Sequence, residues 1–195
     1  MNTHLKYEFT DETFTLPSGV VLHRIRALKK IPLHGVRKGD LGGFVESTSN
    51  LSQERNCWVF NEAKVSGRAQ VSGNAIVSSS AYVYDNAQVC GEAHVSGCSY
   101  VAGDAQIFGH SKVYGNACVY GKAQVGSEAH VFGEAHVFGT AVIADNAQVS
   151  GSASVYIETQ VYGESKVYGK STIADYAQVF GEARVFVDDV LRGNR

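Results

Sequence analysis

No apolar run in this sequence approaches the roughly 18 residues needed to span a membrane, so no membrane partner is expected. The formal net charge of -2 gives neither the basic surplus of a nucleic-acid binder nor the acidic surface of a mimic, and no nucleic-acid partner is expected. Four cysteines, Cys57, Cys90, Cys98 and Cys118, show no CxxC spacing. No positively charged start leads into an apolar segment either, and together these absences point to a reduced, cytoplasmic protein. No GxxxxGK[ST], HExxH or serine-elbow motif occurs, so the commonest local signals of catalysis are missing.

What is present is a repeat. From Val59 to Val185 every sixth residue is Val or Ile, 22 times without a miss. The residue two places before is mostly Ala and the residue two places after is mostly Gly, so the unit reads VxGxAx. A period of 6.0 is no multiple of the helical period, and a glycine in every unit would cost a helix about 1 kcal/mol each. The alternative is a short strand with Ala and Val pointing inward and the residue between them outward. A corner then follows, where Gly or Asp supplies an unusual backbone conformation. At 44% apolar content the chain can fill the core of one domain.

Residues 1–40 stand outside the repeat and are mildly basic, with seven Lys/Arg against four Asp/Glu. Tyr7 to Thr10, Thr13 to Leu16 and Val20 to Leu28 are β-prone runs separated by Asp11-Glu12 and Pro17-Ser18-Gly19 turn signals. They predict a small antiparallel sheet that covers the open first rung. Arg24, Arg26, Lys29, Lys30, Arg37 and Lys38 read as a solvated basic strand rather than a phosphate site, and His23, His34 and His110 as surface or cap residues. Val45 and Leu51 are six apart but Val59 is eight further on, so a two-residue insertion falls between Ser52 and Trp58.

Units such as Val-Phe-Gly-Glu-Ala-His (131–136) and Val-Tyr-Gly-Asn-Ala-Cys (113–118) resemble the hexapeptide-repeat, left-handed parallel β-helix family. The glycine here comes one position later than is usual in that family. That shift, together with Gly-Asp-Leu-Gly-Gly-Phe-Val (39–45) and Asn-Leu-Ser-Gln-Glu-Arg-Asn-Cys-Trp-Val (50–59), is similar to the YdcK-like subgroup. The resemblance implies an all-β fold: a single-stranded, left-handed parallel β-helix, a triangular solenoid with three hexads per coil. Eighteen-residue coils then give about seven regular turns, each rising about 4.8 Å. The expected organisation is an N-terminal β cap over 1–40, the β-helix over 41–187 and a C-terminal tail over 188–195.

Sorting the outward residues by 18 gives three columns. An amide column reads Gln70, Gln88, Gln106, Gln124, Val142, Gln160, Gln178, which predicts a self-bonded side-chain ladder. A basic column reads Ile76, His94, Lys112, His130, Gln148, Lys166, Arg184, and a mixed column reads Lys64, Tyr82, Tyr100, Cys118, His136, Ser154, Thr172. The last two meet at a corner carrying Tyr114, Phe132 and Tyr168. Twelve of the 20 aromatic residues follow directly on a Val/Ile, a concentration that marks a contact surface. Family resemblance implies a homotrimer with parallel axes and clefts along its edges.

These features predict a non-catalytic trimeric β-helix in a sequestering or regulatory role, with no cofactor. It would bind a small anionic, nucleotide-like ligand or a protein partner along the inter-subunit edges. The expected ligand-binding residues are His94, Tyr100, Lys112, Tyr114, His130, Phe132 and His136, where cations and imidazoles flank aromatic faces. Resemblance also implies an alternative, an acyl-CoA-dependent acyltransferase using acetyl-CoA with His130 or His136 as general base. Twenty-two uninterrupted hexads leave no extruded loop to shape its acceptor site. A third reading is a γ-type carbonic anhydrase with three zinc-binding histidines shared across a trimer. The interval from His130 to His136 is six where that pattern needs five. The reading therefore leans away from an enzyme, and no catalytic residue and no metal ligand is assigned.

Overall fold

A computed structural model describes residues 5–186 and 188–193. Residues 1–4 of the expected cap, Val187 at the end of the expected solenoid, and Asn194 and Arg195 of the expected tail lie outside the described residues. Each Val/Ile and the residue before it form a two-residue strand, as in Lys64–Val65, Gln70–Val71 and Ile76–Val77, and the chain turns after each one. Every strand pairs in parallel with the strand 18 residues on: Lys64 opposes Tyr82, Gln70 opposes Gln88 and Ile76 opposes His94. Three sheets result, with the outward columns as their faces. The expected triangular solenoid of 18-residue coils is the observed architecture, with about eight turns.

The inside is filled by the Val/Ile and Ala positions, nearly all of them without solvent contact. Where Ser or Thr replaces Ala, its hydroxyl has to find an acceptor. Ser99, Ser111, Thr159 and Ser171 each donate to the carbonyl three residues back, at 2.7, 2.7, 2.7 and 2.9 Å. The buried Ser165 hydroxyl finds none among the described residues. At the corners the backbone turns with positive φ, and where Asp stands in place of Gly its carboxylate reaches the next coil. Asp85 accepts from the Gly103 N–H and Asp145 from the Gly163 N–H, both at 3.1 Å.

The cap is a three-stranded antiparallel continuation of the mixed sheet: β1 (Tyr7–Thr15), β2 (Val21–Ala27) and β3 (Leu41–Val45). β3 pairs antiparallel with β2 on one side and parallel with Lys64–Val65 on the other. The Asp11-Glu12 turn is not present. β1 runs through these residues as one strand with a register shift between Phe9 and Thr13, because Phe9 and Phe14 pack on His23 and Phe44 and hold both halves to the sheet. Tyr7, Ile25, Ile31 and Val36 join the core cluster over Trp58, which is fully buried at the head of the basic face. The loop made by the insertion after Ser52 wraps the amine of Lys6. Its Nζ donates to the Cys57 carbonyl at 2.8 Å and lies 3.1 Å from the Cys57 sulfur.

Arg24 is not a solvated basic residue. Its guanidinium pairs with Glu12 at 2.8 Å and Glu62 at 2.9 Å, and sits 4.2 Å over the Phe44 ring. Arg26 pairs with Glu8 at 2.7 Å. At the other end, Val190–Arg192 pairs in parallel with Thr172–Ala174 and adds a rung within the stretch expected as a tail. No helix among the described residues is long and apolar enough to cross a membrane.

Candidate functional site

The coil period brings the predicted residues into two separate stacks. His94, Lys112 and His130 are successive partners on the basic face. Tyr100, Cys118 and His136 are successive partners on the mixed face. Tyr114 and Phe132 stand at the corner between them, their rings parallel within 1° and 4.9 Å apart, and the edge of Tyr114 meets His130 at 6.0 Å. All seven are thus neighbours along one edge, and the grooves formed by described residues divide them between the two faces.

Each side opens instead into a groove directed away from that edge. On the mixed face a shallow groove of about 380 Å³ is lined by Tyr84, Tyr100, Ala102, Cys118, Val119, Tyr120 and His136. It holds no lysine or arginine. Toward the opposite edge of the basic face lies a second groove of about 310 Å³, formed by Glu92, His110, Lys112, Glu128 and His130. Glu92 is 3.4 Å from the His110 ring. Further along the same face, Glu164 and Glu182 border Lys166 and Arg184. An acidic rail therefore runs beside the basic column. Glu92, Glu128, Glu164 and Glu182 sit two residues before His94, His130, Lys166 and Arg184, while His110 takes that place before Lys112, and sorting that position by 18 would have exposed the rail in the sequence.

Burial alters the chemistry of this column. His94, whose ring lies 3.1 Å from the Ser78 hydroxyl, is held below the usual histidine range by desolvation, helped by Lys112 and by His34. His130 is lowered for the same first reason and by Lys112, against the opposing pull of Glu128. Neither imidazole is a ready cation near neutral pH, which leaves Lys112 as the fixed positive charge between them. His34, expected as an ordinary cap residue, reaches the basic face, with its ring 3.1 Å from the Asn74 carbonyl. On the mixed face, burial pushes the Cys118 thiol up and keeps it protonated, so it is no thiolate nucleophile. Among the described residues no group of three or more His, Cys, Asp or Glu is placed to hold a metal ion.

The amide face departs from expectation. Gln70, Gln88, Gln106 and Gln124 are in register. No side-chain hydrogen bond, however, joins them among the described residues, and most are solvent-exposed. Registry sets the spacing, but water competes for every amide on an open face.

The corners carry aromatic stacks instead. Tyr120, Phe138 and Tyr156 form one, with rings 4.9 and 4.8 Å apart and parallel within 7°. These separations match one strand spacing, so the coil rise itself sets the stack. Residues 69–85 match a family model described as the YdcK β-solenoid repeat. None of the curated proteins compared matches the chain.

Proposed function

We propose that this β-solenoid, which carries a match to the YdcK β-solenoid repeat at residues 69–85, works as a non-catalytic binding scaffold. In this reading it forms a homotrimer with parallel axes that holds a small anionic, ring-bearing ligand in the clefts between chains. The observation that carries the reading is the division of the candidate residues between adjacent faces, with Lys112 on one and the Tyr100–His136 groove on the next. Around a three-fold axis parallel to the coils, the basic face of one chain lies against the mixed face of its neighbour. A cation and an aromatic groove then meet around one ligand that no single chain can enclose.

The acidic rail is in keeping with this arrangement, because it is interrupted by His110 at the Lys112 rung and leaves that cation without an acid two residues before it. Binding is favoured over group transfer by the unbroken coils, which supply no loop to close over a reacting centre, and by the protonated Cys118 thiol. The unpaired cysteines are in keeping with a reducing, cytoplasmic setting, and a scaffold that binds without reacting would serve a sequestering or regulatory role. Calorimetric titration with adenosine monophosphate tests the reading. Saturable binding that weakens roughly tenfold or more in Lys112→Ala supports it; no saturable heat, or binding untouched by Lys112→Ala, overturns it.

A further inference from the structure

Lys6 is buried although it carries an amine, and the insertion loop holds both of its ends. Its backbone N–H donates to the Gln53 side chain at 2.7 Å. Its Nζ donates to the carbonyls of Cys57 and Glu54 at 2.8 and 3.4 Å and lies 3.1 Å from the Cys57 sulfur. The Lys6 carbonyl accepts from the Leu28 N–H at 2.9 Å, so its backbone belongs to the cap while its side chain reaches the first coil. Cys57 is equally buried, directly before Trp58. Among the described residues the amine thus faces a sulfur and backbone carbonyls rather than the carboxylate that a buried lysine ordinarily needs. Burial lowers the amine from its ordinary 10.5, against the pull of Cys57, and so favours its neutral, nucleophilic form.

We propose that Lys6 and Cys57 form a modification site at which hydrogen peroxide joins them through a covalent sulfur–nitrogen bond. The sulfur, as thiolate, attacks one peroxide oxygen. The S–O bond forms, the O–O bond breaks, and the departing hydroxide takes a proton from the Lys6 ammonium and leaves as water. The neutral amine then attacks the sulfenic sulfur: the S–N bond forms, the S–O bond breaks, and the hydroxyl leaves with one amine proton as a second water. One peroxide is reduced to two waters while the sulfur gives up two electrons. A thiol reverses the bond by attacking the sulfur and giving its proton to the departing amine, and a second thiol then frees Cys57. Placement favours the cross-link over further oxidation of the sulfur. The amine is already in contact with it, whereas the carbonyls of Ser52 and Glu54 close over it at 3.6 and 3.8 Å and slow the arrival of a second peroxide. Entry of the first needs only this thin cover to open. Residues 53–56 run as irregular bends outside any strand, Glu54 and Arg55 are exposed, and peroxide is scarcely larger than water. The bond would fasten the cap over the first coil.

This site does not rest on the ligand reading above and is complete within one chain. Wild-type protein treated with hydrogen peroxide tests it by proteolysis and peptide mass mapping. The expected product joins the peptide holding Lys6 to the peptide holding Cys57, lighter than their sum by two hydrogen atoms, and dithiothreitol separates them. The melting temperature of the oxidised protein is expected to rise by roughly 5 °C or more, because joining residues 51 apart restricts the unfolded chain. Lys6→Met and Cys57→Ser should each abolish both the joined peptide and the reversible rise. Should either variant fold poorly, the wild-type peptide map decides by itself. Cys57 recovered as free thiol or as sulfinic acid with Lys6 unmodified, at peroxide levels that oxidise the exposed Cys98, would overturn the site. A joined peptide heavier by one oxygen atom, or a rise in melting temperature that persists in Cys57→Ser, would overturn the S–N bond.

Discussion

A Cβ placed on Gly97 would stand 2.5 Å from the carbonyl oxygen of Gly115, one coil further on. The corner glycine therefore answers two demands, a positive φ of 72° and close stacking on the backbone of the next coil. Gly181 has nearly the same φ, 64°, but among the described residues no atom lies within 4 Å of such a Cβ. Alanine at either site costs about 1–2 kcal/mol of left-handed strain; at Gly97 a steric term of about 1–3 kcal/mol adds to it. Urea unfolding should show Gly97→Ala clearly less stable than Gly181→Ala. Equal losses would mean that φ alone selects glycine at the corners.

The inward hydroxyls give a second matched pair. Ser111 donates to the Phe108 carbonyl, and Ser165 has no acceptor. Ser165→Ala should raise stability by roughly 1 kcal/mol or more by removing an unanswered buried hydroxyl, whereas Ser111→Ala should lower it by about 1 kcal/mol. Thermal melts of the two variants check the opposite signs.

Alkaline unfolding should begin at the cap. The Tyr7 hydroxyl, buried and donating to the Leu51 carbonyl at 2.9 Å, is pushed up to about 12 from an ordinary 10.0, chiefly by desolvation. Its folded value lies above its unfolded one, so its contribution is intact below pH 10 and is lost between pH 10 and 12. Two units correspond to roughly 2.7 kcal/mol. Lys6 acts in the opposite sense, because burial lowers its amine and raising the pH relieves the cost of keeping it charged. Stability measured from pH 9 to 12 should fall less steeply in Tyr7→Phe and more steeply in Lys6→Met.

Acid should weaken the fold through half-buried imidazoles. His34, His94 and His130 all lie below the ordinary 6.5, each first through desolvation. The unfolded chain then takes up protons before the folded one does, so stability declines as the pH falls below about 6.5 and levels off once the folded groups titrate. A triple His→Gln variant at these positions should show a flatter profile between pH 7 and 4.

The solenoid was legible because its rule is local and repeated. Val and Ala at fixed places in each hexad determine which side chains point inward, and the 18-residue period puts Gln70 beside Gln88 and His94 beside Lys112. What the period leaves open is where a side chain turns once it is outside. Tyr84 folding onto Tyr82 and Phe108 leaning over Gly126 are rotamer choices made by neighbours, and with them came the groove at Ala102, which column order alone did not mark. The amide column shows the same limit, since registry without dry surroundings produced no side-chain ladder. The cap was harder again. His34 reaching Asn74, and Lys6 reaching Cys57, join segments forty and fifty-one residues apart with no repeat to announce them.

In the proposed trimer the two halves of the candidate site face each other across chains. Native mass spectrometry of the 20.9 kDa chain purified from cells reads this most directly. The expected species has three times the chain mass and carries a dissociable small molecule that is lost in Lys112→Ala. A monomer, or a trimer with no bound molecule that gains none on addition of adenosine monophosphate, would contradict it.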